Sequence, residues 1–267
     1  MIEVLSWGVA GAVRDGGRPG WAHLGRGRGG AVDLEALTLG NRLVGNEPRA
    51  GGIETSGGLA LRIVSPVMIA VTGSPADVNV TDGPPLGWGA HTVVPAGAVV
   101  RIGRLHGGAR TYVAVRGGLV IDGDRMIVGP DPGRPASHEP AVPRPIERVV
   151  RVWPGPRVEW FAPGSWERLI AGEWEVRPDS DRVGARLRGP ALERAIPREL
   201  PSEGLVEGSI QVPPDGQPIV MLADHPVTGG YPVIAVVDRA SLSAVAQAPP
   251  GTRLTLRPTL TPRASSR

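Results

Sequence analysis

Glycine and proline interrupt this chain too often for it to hold a long helix. There are 39 glycines and 29 prolines in 267 residues, about one residue in four, with no collagen-like period. In a helix interior glycine costs about 1 kcal/mol and proline about 3 kcal/mol relative to alanine. At this density the chain reads as short elements joined by tight turns, which predicts a mainly β fold. Apolar residues make up 41% of the sequence, enough for a globular core, and the length allows one large domain or two smaller ones.

Short β segments are expected at 67–71, 77–81, 93–94, 98–102 and 111–115, a spacing that suits a sandwich or a barrel. One helix breaks the run at 34–44, with Asp33 as N-cap, Val32 and Leu37 as a staple, and Gly45-Asn46 as the stop. Residues 122–146 are poor in apolar side chains and rich in Pro and Gly, and read as a linker or long loop between a first module, 1–121, and a second, 147–258. In the second module a short helix is expected from Ser165, as its cap, to Ile170, and another at 241–247. Strands are expected at 174–177, 209–212, 219–222, 233–237 and 253–256. The polar residues 259–267 are expected to fray. Pro95-Ala96-Gly97 and Pro249-Pro250-Gly251 each precede a strand, which fits either a duplicated module or two common turns.

Several classes of chemistry are excluded by residues that are missing. Without cysteine there is no disulfide, thiolate nucleophile or Cys-ligated metal, and the five histidines have no His-x-x-x-His spacing, so no metal site is expected. All 29 basic residues are arginine, which rules out a P-loop lysine, a Schiff base and self-biotinylation. The arginines are dispersed, the net charge is +3 and aromatics are 4%, so no nucleic-acid partner is expected. No apolar run nears the ~20 residues that cross a bilayer, and residues 1–10 lack a basic signal-peptide start. No membrane partner is expected, and the default compartment is the cytoplasm.

Four segments carry candidate chemistry. Gly25-Arg26-Gly27-Arg28-Gly29-Gly30 fits G-x-G-x-x-G, but the segment before it is polar and turn-rich where a dinucleotide fold needs a buried strand. It suits an anion site at a helix start, or a solvated loop. Asp15, Arg18 and His23 share one short stretch, as an anion-holding and proton-transfer group or as a turn clasp. Arg182 and Arg186 lie four apart beside Asp179 and Asp181, as an anion clamp or a salt-bridge ladder. The densest segment is 202–232. There Gln211, Asp215 and Gln217 surround a Pro-Pro-Asp-Gly turn, and Thr228-Gly229-Gly230-Tyr231 offers a hydroxyl, backbone N–H groups and a phenol.

SEGLVEGSIQVPPDGQPIVMLAD and TGGYP within 202–232, with SDRVGARL, RDGGRPGWAHLG and GGARTYVAVRGG, resemble signatures of a known family across nearly the whole chain. That family includes the C-type subunit of 5-oxoprolinase, the sporulation antagonist KipA, and the carboxyltransferase part of urea carboxylase, also called allophanate hydrolase subunit 2. The resemblance implies two cyclophilin-like β-barrel modules with a few short helices. It also implies two partner subunits, a KipI-like B type and an A type, with which the chain opens 5-oxoproline, a small lactam, to glutamate at the expense of ATP. Alternatives within the family are a biotin-dependent urea or amide carboxylase component and a non-catalytic regulator that binds a KipI-like partner. Carried over by motif, His23, Tyr231 and Asp215 are the candidate catalytic residues. Asp15, Arg18, Arg182, Arg186, Gln211, Gln217 and Thr228 are the candidate substrate-binding residues. The chain departs from the family at Arg14, where Gln is usual, at loop 25–33, at Ala185 and Val227, and in 122–145, which stands where a G-S-R-S-T stretch is usual.

Overall fold

The computed structural model describes residues 1–122, 125–137, 139–143, 145 and 147–259. It divides into two compact units, Met1–Gly17 with Asp33–Ile146 and Arg18–Val32 with Glu147–Arg267. The early segment Arg18–Val32 thus groups with the later half of the chain. The expected frayed tail falls, from 260 onward, outside the described residues.

The first unit is built from two antiparallel sheets. One runs in the order Ile2–Ser6, Leu59–Ile63, Val99–Leu105, Ala76–Thr81; the other runs Ala12–Arg14, Gly52–Thr55, Thr111–Val115, Val67–Gly73, His91–Val94. Alternation sends Leu59, Leu61 and Ile63 of the first sheet inward to meet Ile53, Ile69, Val71 and Val113 of the second in one core. All five residues of Thr111–Val115 are buried, because helix α1 (Leu34–Leu43) covers the other face of this sheet. Ala114 and Ala70 pack there against Leu43 and Val44. Asp33 caps α1 as expected, its side chain accepting from the Ala36 N–H. Gly40 lets the helix approach the sheet: a Cβ there would sit 3.0 Å from both Ala114 Cβ and Thr72 Oγ1.

The expected linker differs from what the chain builds. Leu119–Asp122 and Arg125–Val128 pair as an antiparallel hairpin. The Pro-rich stretch after it is tied to the first unit. Arg116 holds Asp131 bidentately and the Val44 and Arg134 carbonyls, while Ser137 N–H donates to Leu43 O and Ala141 N–H to Gly89 O. Low apolar content hid this segment because backbone and guanidinium bonds fix its Pro-rich part, with Met126 and Val128 of the hairpin packed against the core.

The second unit contains a closed seven-stranded barrel. Its order is Val149–Pro154, Val233–Val237, Ser209–Gln211, Ile219–Met221, Gly184–Arg188, Glu173–Val176, Arg253–Pro258. The last strand returns to the first in parallel, and the other pairs are antiparallel. Closure leaves no unpaired edge. Trp174, Leu187, Ile210, Val220, Ile234 and Leu256 fill the interior together with Val32. Helix α2 (Ser165–Ala171) starts differently from expectation: Gly164, at φ +84°, is the N-cap, and the Ser165 hydroxyl bonds Glu193 O instead. Helix α3 is Leu242–Gln247. The two Pro-x-Gly turns share their geometry. Gly97 and Gly251 both have positive φ, with Ala98 N–H bonded to Pro95 O and Thr252 N–H to Pro249 O. Among the described residues no helix is long and apolar enough to cross a membrane.

Candidate functional site

The segment 202–232 supplies two barrel strands, the turn between them, and both strands of a separate two-stranded sheet, Glu203–Gly204 with Thr228–Gly229. Pro213-Pro214-Asp215-Gly216 closes the hairpin joining Ser209–Gln211 to Ile219–Met221, with Gly216 N–H bonded to Pro213 O at 3.0 Å and Gly216 at φ +73°. Prolines pre-set the first corner of such a turn, and glycine takes the left-handed position after it. Asp215 is carried out to the surface, its Oδ1 accepting from Gln217 N–H.

Both glutamines expected to read a ligand amide already read the protein's own backbone. Gln217 pairs with Gly189 at both ends of its amide, Oε1 accepting from the N–H at 2.9 Å and Nε2 donating to the C=O at 3.2 Å. Gln211 is buried, and its Nε2 donates to Tyr231 O at 2.8 Å. Gly229 makes room for it, since a Cβ there would lie 2.7 Å from Gln211 Nε2. These amides hold the 213–217 and 229–231 turns in place.

Above these turns lies a cavity of about 240 Å³. Arg177, Arg186, Asp215, Gln217 and Tyr231 form its polar lining, and Leu187, Pro213, Pro218 and Ile219 its apolar wall. Four of the residues singled out from sequence, Arg186, Asp215, Gln217 and Tyr231, therefore converge. Arg177 was missed, although its i, i+2 relation to Asp179 is visible in the sequence. Arg177 holds Asp179 bidentately at 3.0 and 2.8 Å, and Arg186 Nε lies 3.8 Å from the same carboxylate. The Tyr231 ring is flanked by Arg194, whose guanidinium carbon sits 5.7 Å from the ring centroid.

Arg182 does not share this cavity. It precedes the strand that carries Arg186, and its guanidinium holds both oxygens of Asp224, at 2.8 and 3.1 Å, and the Gly30 carbonyl at 2.6 Å. It fastens the glycine-rich segment to the 222–226 turn. Gly29 N–H bonds Ala223 O, and Arg28 Nη1 donates to Glu207 at 2.8 Å with both side chains largely buried. Arg28, half of the anion site expected at 25–30, is thus neutralised by an internal carboxylate. Burial pushes the Glu207 pKa above its usual range, against the opposing pull of Arg28, His225 and Arg239. His225 is buried here with Nδ1 2.7 Å from Pro226 O. Glu207 and His225 both lie in the dense segment 202–232, but neither was given a role from sequence.

The other candidates stand apart from the cavity. His23 is exposed on a one-turn helix, Nδ1 2.8 Å from Gly20 O. Arg18 is exposed, with its guanidinium near Gly29. Asp15 belongs to the first unit and accepts from Gly17 N–H. Thr228 is exposed in a two-residue strand, Thr228–Gly229, paired with Glu203–Gly204. Among the described residues no three His, Cys, Asp or Glu side chains gather as metal ligands.

Comparison with known proteins places these features in a family. The profile for the carboxyltransferase domain, subdomain A and B, matches residues 24–123 and 119–258. The C-type subunit of 5-oxoprolinase from Escherichia coli is 32% identical over 94% of this chain and 89% of that protein. The solved structure of TTHA0988 superposes with a TM-score of 0.82 at 32% identity, covering 96% of this chain and 56% of that one. The K. lactis urea amidolyase superposes with a TM-score of 0.85 at 25% identity, covering 96% of this chain but 18% of that one. This chain spans little more than half of the first solved protein and under a fifth of the second. The chain belongs to the carboxyltransferase domain, subdomain A and B, family.

Proposed function

We propose that this chain is the C-type subunit of an ATP-dependent 5-oxoprolinase-like amidohydrolase, which opens 5-oxoproline to glutamate with B-type and A-type partner subunits. The observation that carries this reading is the near end-to-end correspondence with the C-type subunit of a 5-oxoprolinase, 94% of this chain against 89% of that protein. Opening a lactam requires water to add to the carbonyl carbon, a donor for the oxygen as it gains charge, and a proton for the departing nitrogen. The second unit offers a carboxylate, Asp215, a phenol, Tyr231, and the guanidinium of Arg186 around one cavity. ATP is used by the assembled complex under this reading, and the compartment is the cytoplasm.

A second reading, as the carboxyltransferase component of a biotin-dependent urea or amide carboxylase, draws on the 0.85 TM-score with the K. lactis urea amidolyase. Co-expression of the chain with B-type and A-type subunits, followed by glutamate release from 5-oxoproline with and without ATP, separates the two. ATP-dependent glutamate release supports the first reading. Turnover only with a biotinylated carrier and a urea-like substrate supports the second and defeats the first.

A further inference from the structure

Arg18–Val32 is an excursion on the second unit with two unlike parts. The stem, 27–32, is fastened to the barrel. Val32 enters the barrel core, Gly29 N–H bonds Ala223 O, Arg182 holds the Gly30 carbonyl, and Arg28 is neutralised by Glu207. The knob, 18–26, has every residue exposed. A connection with no further role would carry polar side chains there. This knob instead carries Trp21 at 43% and Leu24 at 60% exposure.

The knob is braced from within. Trp21 O accepts from Leu24 N–H at 2.9 Å and from Arg26 N–H at 3.3 Å, Gly25 N–H bonds Ala22 O at 2.9 Å, and His23 Nδ1 lies 2.8 Å from Gly20 O. Positions three apart eclipse in a 3₁₀ turn, so Trp21 and Leu24 share one side of Ala22–Leu24. Arg26 stacks on Trp21, its guanidinium carbon 5.3 Å from the ring centroid. Residues 18–32 contain no Asp or Glu, and among the described residues neither Arg18 nor Arg26 has a carboxylate in ion-pair range. An apolar pair capped by one guanidinium, with a second on the same knob, is thus left without an offsetting negative charge. Trp and Arg carry much of the binding energy at protein interfaces, and a braced mounting lowers the cost of ordering them.

We propose that this knob is a docking surface for the B-type subunit, which meets it with carboxylates set around an apolar pocket. The choice of subunit rests on the function proposed above. The acidic and apolar character of the face it presents rests on Trp21, Leu24, Arg18 and Arg26.

The test is calorimetric titration of the full chain with purified B-type subunit at low and high salt. Trp21→Ala should weaken binding at least ~30-fold, as the loss of a central anchor does, and Arg26→Glu at least ~10-fold. Wild-type affinity should fall as salt rises, and Arg26→Ala should flatten that fall. Arg253→Ala removes an exposed arginine paired with Glu173 on the barrel and should change nothing. The one-turn helix buries no residue, so these variants should keep the wild-type unfolding transition. No binding of the B-type subunit by wild type, binding that survives the double variant Trp21→Ala/Arg26→Glu, or an equal loss in Arg253→Ala would each overturn the inference. Capture of a single-stranded oligonucleotide through Trp21 and Arg26, without B-type binding, would also overturn it. Glutamate release is scored separately at saturating B-type subunit. Recovery of release by Trp21→Ala at saturation supports docking, and a deficit that persists there makes the knob part of the chemistry and overturns the inference. Release with docking indifferent to Trp21 defeats this surface alone, and docking without release defeats the proposed function alone.

Discussion

Arg182→Met separates a structural arginine from a substrate-holding one. In the structure this guanidinium makes two charged hydrogen bonds to Asp224 and one to the Gly30 carbonyl, with its side chain 14% exposed and that of Asp224 33% exposed. Breaking a fully buried pair costs about 3–5 kcal/mol, and charged hydrogen bonds are each worth about 1.5–3 kcal/mol. Water reaches Asp224 in the variant, so the cost falls to about 2 kcal/mol. That cost lands on the docking of the glycine-rich segment, whose nearest backbone tether is Gly29 N–H to Ala223 O at 2.9 Å. A loss of about 2 kcal/mol from the local opening free energy speeds exchange of the Gly29 amide about 30-fold. Hydrogen exchange resolved to residues 25–31 reads this directly. Unchanged exchange at Gly29, together with a raised KM in the reconstituted enzyme, would refute the assignment and return Arg182 to the anion-clamp role its spacing suggested.

Two further outcomes follow from buried polar groups. Tyr112 donates to the buried Glu54 carboxylate at 2.7 Å and accepts from Asp33 N–H at 2.8 Å, which ties the start of α1 to the sheet beneath it. Tyr112→Phe should cost about 2–3 kcal/mol in denaturant unfolding of the first unit, and a loss below about 0.5 kcal/mol would contradict this network. Burial raises the Glu207 pKa above its ordinary 4.5 while Arg28, His225 and Arg239 pull it down, so the folded chain binds this proton more tightly than the unfolded chain. The stabilisation this proton brings is complete below pH 4.5 and is lost as pH rises through the folded pKa. The stability of wild type minus that of Glu207→Gln should therefore fall as pH rises above 4.5. A flat or rising difference in paired denaturation curves would contradict the burial argument.

Much of this fold was legible because its signals are local. Proline and glycine mark turn positions through their own φ preferences, so the strands 111–115 and 233–237 and the Asp33 cap could be placed directly. The strands alone did not reveal how they join. One half closes into a seven-stranded barrel and the other forms two sheets around a shared core. That choice is made by pairing between segments tens of residues apart, such as Val149–Pro154 with Arg253–Pro258. The grouping of Arg18–Val32 with the later half is equally non-local, set by Gly29 with Ala223 and Arg28 with Glu207. Residue types pointed to four of the residues that line the cavity, Arg186, Asp215, Gln217 and Tyr231. Gln211 and Gln217 lie where the turn chemistry suggested, yet their amides are taken by Tyr231 and Gly189. Side-chain amides cannot be assigned to a ligand from sequence, because backbone groups compete for the same hydrogen bonds. Arg177 went unseen because its relevance comes from the strand pairing that sets it opposite Arg186.

Glutamate release from 5-oxoproline by this chain combined with B-type and A-type subunits, measured with and without ATP and with each component left out in turn, tests the proposed activity most directly. The proposed C-type role predicts release that requires ATP and this chain. Release that proceeds undiminished without this chain, or none from the complete set while a biotinylated carrier supports urea carboxylation, would contradict it.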